Sequence, residues 1–306
     1  MKDYLKRRLL TLLPVVFGVV TAVFLIIHLV PGDPVVLMLG ENAQPADIEA
    51  LRAELGLNKP LGVQYVRFWN HLLHADLGES IYQRRPVFSL IMERLPYTIL
   101  LACCALFLSI VIAIPLGILS GLHQNEKVDY FALGFSILGI SMPVFWLGPL
   151  LILLFAVKLH WLPVAGLGGW RHLVLPSLTM GLGLAAITLR MIRSAMIDVM
   201  HQDYIRTAFA KGLNRRQVVW RHAIKNVLVP VVTVLGLQLG ALFGGAIITE
   251  VVFSYPGVGR LLITAILRRD YPLVQGTILV IALLYIIINF LTDLLYSYID
   301  PRIRLK

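Results

Sequence analysis

Six apolar runs, at about 9–30, 97–122, 130–157, 173–189, 227–251 and 273–296, constrain this chain more than any other feature. Each approaches or exceeds the ~18 apolar residues that a helix needs to cross a bilayer. No water reaches the backbone in the hydrocarbon core, so a spanning segment closes its own hydrogen bonds as a helix. The expected fold class is an all-α membrane protein with six transmembrane helices. Composition agrees: only 14% of the 306 residues are charged and mean hydropathy is +0.81, whereas a soluble domain carries about 25% charged residues. The net charge of +10 reads as positive-inside bias, with no nucleic acid implied. The first run is too long for the core of a cleaved signal peptide, and no small-x-small site precedes PGDP, so it is expected to stay as a span.

The 27 basic residues orient the array. With both termini cytoplasmic, 16 of them fall inside, 5 in the short outer loops and 6 in the long 31–96 loop. Long loops translocate with little regard to charge, so the arrangement with both termini inside is preferred. Pro143 removes a helix hydrogen bond within the third run and is expected to kink or split it. The 31–96 loop is too long for a plain connection. ADIEALRAELGL and VQYVRFWNHLLHADLG place apolar residues near helical spacing, which predicts two or three amphipathic helices. A cap over the bundle and a docking site for an external partner both fit them.

Between the fourth and fifth runs lies a polar, basic segment, DYIRTAFAKGLNRRQVVWRHAIKNVLVP. It begins with helix formers, breaks at Gly212 and resumes towards Pro230. Small Ala208 and Ala210 permit close approach of another surface, and Gly212 permits the turn that ends the helix. Arg215, Arg216 and Arg221 suit ionic contacts with a protein or with anionic lipid. Lipid alone accounts for the charges but not for the small-residue and glycine spacing, which favours a soluble docking partner.

This segment resembles the coupling loop of ATP-binding-cassette importer permeases, whose pattern is Glu-Ala-Ala, three residues, Gly, nine residues, Ile-x-Leu-Pro. Anchoring on Gly212 puts Arg206, Thr207 and Ala208 at the Glu-Ala-Ala positions; only the second alanine matches. Ile224 and Lys225 fall at the Leu-Pro position, a second departure. DYIRTA-x-AKGL followed by RHAIKN is instead the form of the dipeptide/oligopeptide/glutathione/nickel branch. HLVPGDP, ELGLNKPLGVQY, ADLGES, EVVFSYPGVGRLLITAILRRDYPLVQG and DLLYSYIDPRIR resemble the same branch in the same order, covering nearly the whole chain. The resemblance implies a layout of 1–30 as N-terminus and first span, 31–96 as external helical loop, 97–299 as permease core with a coupling loop at 196–226, and 300–306 as cytoplasmic tail. It implies Arg206, Thr207, Ala208, Ala210, Gly212, Arg215 and Arg216 as ATPase-coupling residues. It also implies a second homologous permease subunit, two cytoplasmic ATPases, an extracytoplasmic solute-binding protein and a place in the bacterial inner membrane. The chain itself is then no enzyme and binds no cofactor; ATP and Mg2+ belong to the ATPases. Consistently, it has no GxxxxGK(S/T), HExxH or GxSxG motif.

Several single residues carry two readings. Glu250 either faces the translocation path and meets a positive substrate group, or pairs with Arg260 or caps backbone amides. Tyr255, Pro256 and Gly257 read as a turn, which the resemblance places near an outer gate; Gly257 and Gly259 ease a tight path. Asp293 reads as half of a structural ion pair at the inner end of the last span, with an inner gate as the other reading. His28 reads as a hydrogen-bonded helix end. His71, His74 and Asp76 lack the further ligands of a recognisable metal site, and adjacent Cys103 and Cys104 read as small apolar fillers. Gly236, Gly240, Gly244 and Gly245 give the fifth run a small-residue face for close helix packing, against a partner or within the chain. An ion-coupled carrier would want mid-span carboxylates and inverted repeats, and an intramembrane protease a nucleophile and base; neither pattern is present. GGW-x-H in the 161–175 connection resembles nickel and glutathione members, so short peptides or glutathione rank first as cargo, nickel or a metal chelate second.

Overall fold

A computed structural model describes residues 2–29, 34–40, 43–54 and 56–299. Val30–Asp33 of the HLVPGDP segment and the 300–306 tail therefore lie outside the described residues. The chain divides into two compact units. One holds Thr98–Tyr255 and the chain from Ile287; the other holds Lys2–Tyr97 and Pro256–Ile286. Among the described residues no strand forms, and four helices are long and apolar enough to span a bilayer. A pair of apolar helices, Lys127–Ser141 and Val144–Lys158, is bent by 109° and makes a fifth if the two count as one span.

The first unit is a bundle of spans. α5 (Val87–Leu122), α6 (Lys127–Ser141), α7 (Val144–Leu151) and a π-helical stretch Ile152–Lys158 are followed by α8 (Trp170–Met200). The predicted break at Pro143 occurs where α6 ends and α7 begins. Water drives none of the packing among spans, so close van der Waals approach must do it. α8 supplies that approach. A methyl group at Gly181 would lie 2.8 Å from the Ala105 carbonyl oxygen of α5, and one at Gly139 of α6 would lie 2.7 Å from Ala186 Cβ. Gly117 and Gly121 of α5 admit Ile192 and Met196 in the same way. Buried polar groups stitch the helices further: Ser136 donates to the Ala186 carbonyl at 3.2 Å, and Thr188 to Gln238 Oε1 at 3.1 Å.

After α8 the chain forms α9 (Asp203–Ala210), α10 (Arg215–Val218), a second π-helical stretch Val219–Ala223 and α11 (Ile224–Val252). A core of Ile205, Ala208, Val218, Val219 and Ala223 packs with Leu189, Ile192 and Met196 of α8.

The second unit begins with α1 (Lys2–Leu29), whose apolar part Leu10–Leu25 is shorter than a full span. The described residues of the segment between α1 and α5 form α2 (Pro34–Leu39), α3 (Pro45–Glu54) and α4 (Leu61–Leu73). Tyr65, Phe68, Trp69 and Leu72 recur at i, i+3, i+4 and i+7 on α4, one face of a helix. That face meets α1: Trp69 stacks on Phe17 at 5.8 Å, Phe24 lies 5.1 Å from Tyr65 and 5.7 Å from Phe68. The Tyr65 hydroxyl hydrogen-bonds Thr21 Oγ1 at 2.7 Å, which satisfies both hydroxyls beside apolar surface. α12 (Val258–Leu267) and α13 (Tyr271–Ile299) complete the elements. Val258, Leu261 and Leu273 pack on Val87, Leu90 and Ile91 at the start of α5.

Candidate functional site

α9 is the sequence-singled segment in three dimensions. Its helix ends at Ala210, Gly212 takes φ 83°, and the Gly212 and Leu213 amides donate back to the Phe209 and Ala208 carbonyls at 2.9 and 3.3 Å. This is a helix end closed by a left-handed glycine. Asn214 caps the next helix: its side chain accepts from the Gln217 amide, and the Gln217 side chain accepts from the Asn214 amide. Two capped helix termini back to back fix the angle between α9 and α10.

The amphipathic register of α9 decides which residues face out. Ile205 and Ala208 are buried in the chain's own core, so the small side chain of Ala208 serves internal packing. This corrects the expectation that Ala208 and Ala210 together offer a close-approach surface; only Ala210 is exposed. The exposed face carries Arg206, Thr207 and Ala210 with Tyr204 and Phe209, each aromatic being 42% exposed. Tyr204 and Phe209 were missed in the sequence because an aromatic in a chain this apolar looks like core. Arg206 pairs loosely with Asp203 at 3.6 Å, and Thr207 donates to the Asp203 carbonyl at 3.0 Å. Arg215 donates to the Leu122 carbonyl at 2.6 Å and thereby ties α10 to the end of α5, a role within the chain. Arg216 is exposed beside Trp220, itself 65% exposed.

The same end of the unit holds a buried ion pair. Arg193 of α8 donates to both oxygens of Asp129 on α6, at 2.6 and 2.7 Å. Ser120 of α5 donates to the same carboxylate at 2.5 Å and the Asn125 amide at 2.9 Å. Three spans therefore converge on Asp129, two turns before α8 gives way to α9.

The other candidate residues lie at the opposite end of α11. Glu250 is fully buried and accepts a hydrogen bond from Thr98 of α5 at 2.6 Å. Its carboxylate is not on an open surface of the chain. Tyr255 is also buried, and its amide donates to the Glu250 carbonyl at 2.8 Å. The left-handed residue of the turn is Ser254, at φ 49°, whereas Gly257 has φ −90° and so needs no glycine freedom. Pro256 precedes Gly257, which caps α12.

In the second unit the histidines have separate partners. His28 Nε2 lies 3.1 Å from Gln64 Oε1, His71 Nδ1 lies 2.7 Å from Asp76, and His74 Nδ1 faces the Asn70 carbonyl at 2.8 Å. The Asp76 carboxyl is held below its usual range, first by the Gly78 amide and then by His71.

Continuous helices of span length, glycine-mediated packing and a short capped helix pair between two of the spans define a polytopic membrane protein. Residues 113–305 match the family described as binding-protein-dependent transport system inner membrane component, and residues 1–102 match its N-terminal counterpart. The chain belongs to this family of importer permeases, which are membrane subunits without catalytic activity. It is 43% identical over 306 residues to the glutathione transport system permease protein GsiC of Pectobacterium atrosepticum, covering all of both chains. It is also 43% identical over 332 residues to the dipeptide transport system permease protein DppB of Alkalihalophilus pseudofirmus, covering 99% of this chain and all of that one. In fold it matches a structure of the MetNI methionine ABC transporter with a TM-score of 0.60 at 18% identity, covering 69% of this chain and 96% of that one.

Proposed function

We propose that this chain is one of two homologous permeases in an ATP-driven importer that takes up short peptides of the dipeptide or glutathione type. The observation that carries the reading is the end-to-end similarity to the two permeases above, one for glutathione and one for dipeptides. A solute-binding protein delivers cargo outside, and two ATPases bind inside. The chain crosses the inner membrane six times, α1 and the bent α6–α7 pair each counting as one span, with both termini cytoplasmic. α9 enters a groove on an ATPase with its exposed Tyr204, Arg206, Thr207, Phe209 and Ala210. Closure of the ATPases on ATP pushes α9. The inner face of α9 and the Arg215 bond pass that push to α8 and to the end of α5 as to one body. Such a lever works only if it is stiff, and the two caps around Gly212 supply stiffness.

Uptake of labelled Gly-Leu, glutathione and nickel in cells with and without this chain tests the cargo. Loss of peptide or glutathione uptake on deletion, with nickel unaffected, is expected; the reverse overturns the peptide reading. Phe209→Asp tests the lever, since it alters an exposed side chain and spares the core. The variant is expected to reach the membrane at normal levels but to abolish transport and release the ATPases in pull-down. Normal transport by it would remove α9 from the coupling role.

A further inference from the structure

A cavity of about 750 Å³ lies within the second unit, inside the ~300–1,000 Å³ range of small-ligand pockets. Its walls come from α1, α3, α4, the 76–84 loop and the first turns of α13. The wall residues combine both signs of charge with apolar surface: Asp47, Asp76 and Glu79 with Arg67 and Arg84, beside Phe68 and Leu279. Asp47, Arg67 and Arg84 are exposed to solvent rather than buried in the packing. One side of the wall is held in place, because buried Ser80 donates to Asp270 at 2.5 Å and so pins the 76–84 loop to the start of α13.

We infer that this cavity is a weak site for a short peptide with a free α-ammonium and a free carboxylate, occupied outside before translocation. The inference rests on the peptide reading above. Arg67 and Arg84 take the carboxylate, Asp47 the ammonium, and the aromatic and aliphatic wall the side chains. A molecule of one charge would leave the opposite charges of the wall unanswered. A lipid tail would bring methylene groups against Asp47 and Arg67 and strip them of water at a cost. Exposed charges pair weakly because water screens them, which suits a site that must release its cargo.

The test uses the assembled importer in nanodiscs without its binding protein. This chain carries Ala43→Cys at the cavity wall, in a background with Cys103→Ser and Cys104→Ser. The rate of maleimide labelling reads occupancy. Gly-Leu is expected to slow labelling several-fold, and N-acetyl-glycyl-leucinamide, with both charges removed, to leave it unchanged. Arg67→Ala and Asp47→Ala should each raise the half-protecting concentration about two- to fivefold, the loss expected for one solvent-exposed charged contact. Equal rates with and without Gly-Leu overturn the site, as does protection indifferent to both substitutions. A labelling rate that rises on delipidation while Gly-Leu has no effect overturns it in favour of lipid. Binding-protein-dependent uptake of Gly-Leu by the same complex separates the two failures. Uptake without protection sinks the site alone, whereas absence of uptake for every peptide sinks the peptide reading.

Discussion

Each unit buries an aspartate, and the two are satisfied by different means. Asp129, in the bundle of spans, meets a guanidinium through two bonds and accepts two more, from Ser120 and the Asn125 amide. Asp270, at the start of α13, gathers the Ser80 hydroxyl with the Ile81, Tyr82 and Leu273 amides. The first is a charge pair that joins α5, α6 and α8. The second is a helix cap that has recruited a loop 190 residues away in sequence. A charge pair fails badly when half of it is lost, because the remaining charge stays buried. A cap with several donors loses only one bond at a time. The bundle should therefore be brittle at its ion pair and the second unit tolerant at its cap.

The largest effect is expected from Arg193→Met. Removing one partner of a buried pair costs about 3–5 kcal/mol, seen as a large fall in the thermal midpoint of the purified chain in detergent. Asp129→Leu combined with Arg193→Met should recover most of that loss. If the double variant is no better than the single one, Asp129 is held by Ser120 and the Asn125 amide, and the contrast with Asp270 disappears. Next comes Gly181→Ala. The added methyl group would sit 2.8 Å from a backbone oxygen of α5, which cannot rotate away. Prising the helices apart should cost about 1–3 kcal/mol; an unchanged midpoint would mean that α5 and α8 are loosely packed there. Ser80→Ala should cost about 1–2 kcal/mol, since Asp270 keeps its amide donors. It should also raise protease sensitivity at 76–84 while the spans stay intact. A loss as large as that of Arg193→Met would make the two aspartates equivalent.

These residues also show where the sequence was legible. Hydropathy marked the four helices of span length and the bent pair, Pro143 the break between α6 and α7, and Gly212 the end of α9, because each signal is local. The true starts and ends were not legible. α5 begins at Val87, well before the apolar run at 97, because its first turns bury Val87, Leu90 and Ile91 against α12 and α13 and look mixed in a hydropathy window. α8 continues to Met200 through Arg190 and Arg193, which look like the end of a span. Arg193 is tolerated because Asp129 awaits it on another helix, and no window along the chain reveals that partner. The candidate site divides the same way. The helix–glycine–helix pattern was readable, but the inward register of Ala208 and the internal bond of Arg215 follow from tertiary contacts.

The smallest effect concerns Asp76, a half-exposed carboxylate of the second unit. Its pKa lies below the ordinary value of 3.8, chiefly because the Gly78 amide and His71 favour the ionised form. A depressed folded-state value adds stability above the unfolded value, and that stability is lost as pH falls through the folded one. Solvent screening keeps the contribution below about 1 kcal/mol. Asp76→Asn should therefore flatten a shallow decline in the thermal midpoint below about pH 5, leaving the midpoint near neutrality little changed. A decline of the same slope in the variant would assign the acid sensitivity to other carboxylates. If the variant instead melts far lower at neutral pH, Asp76 pins its loop as firmly as Asp270 does, and the second unit is less tolerant than its cap suggests.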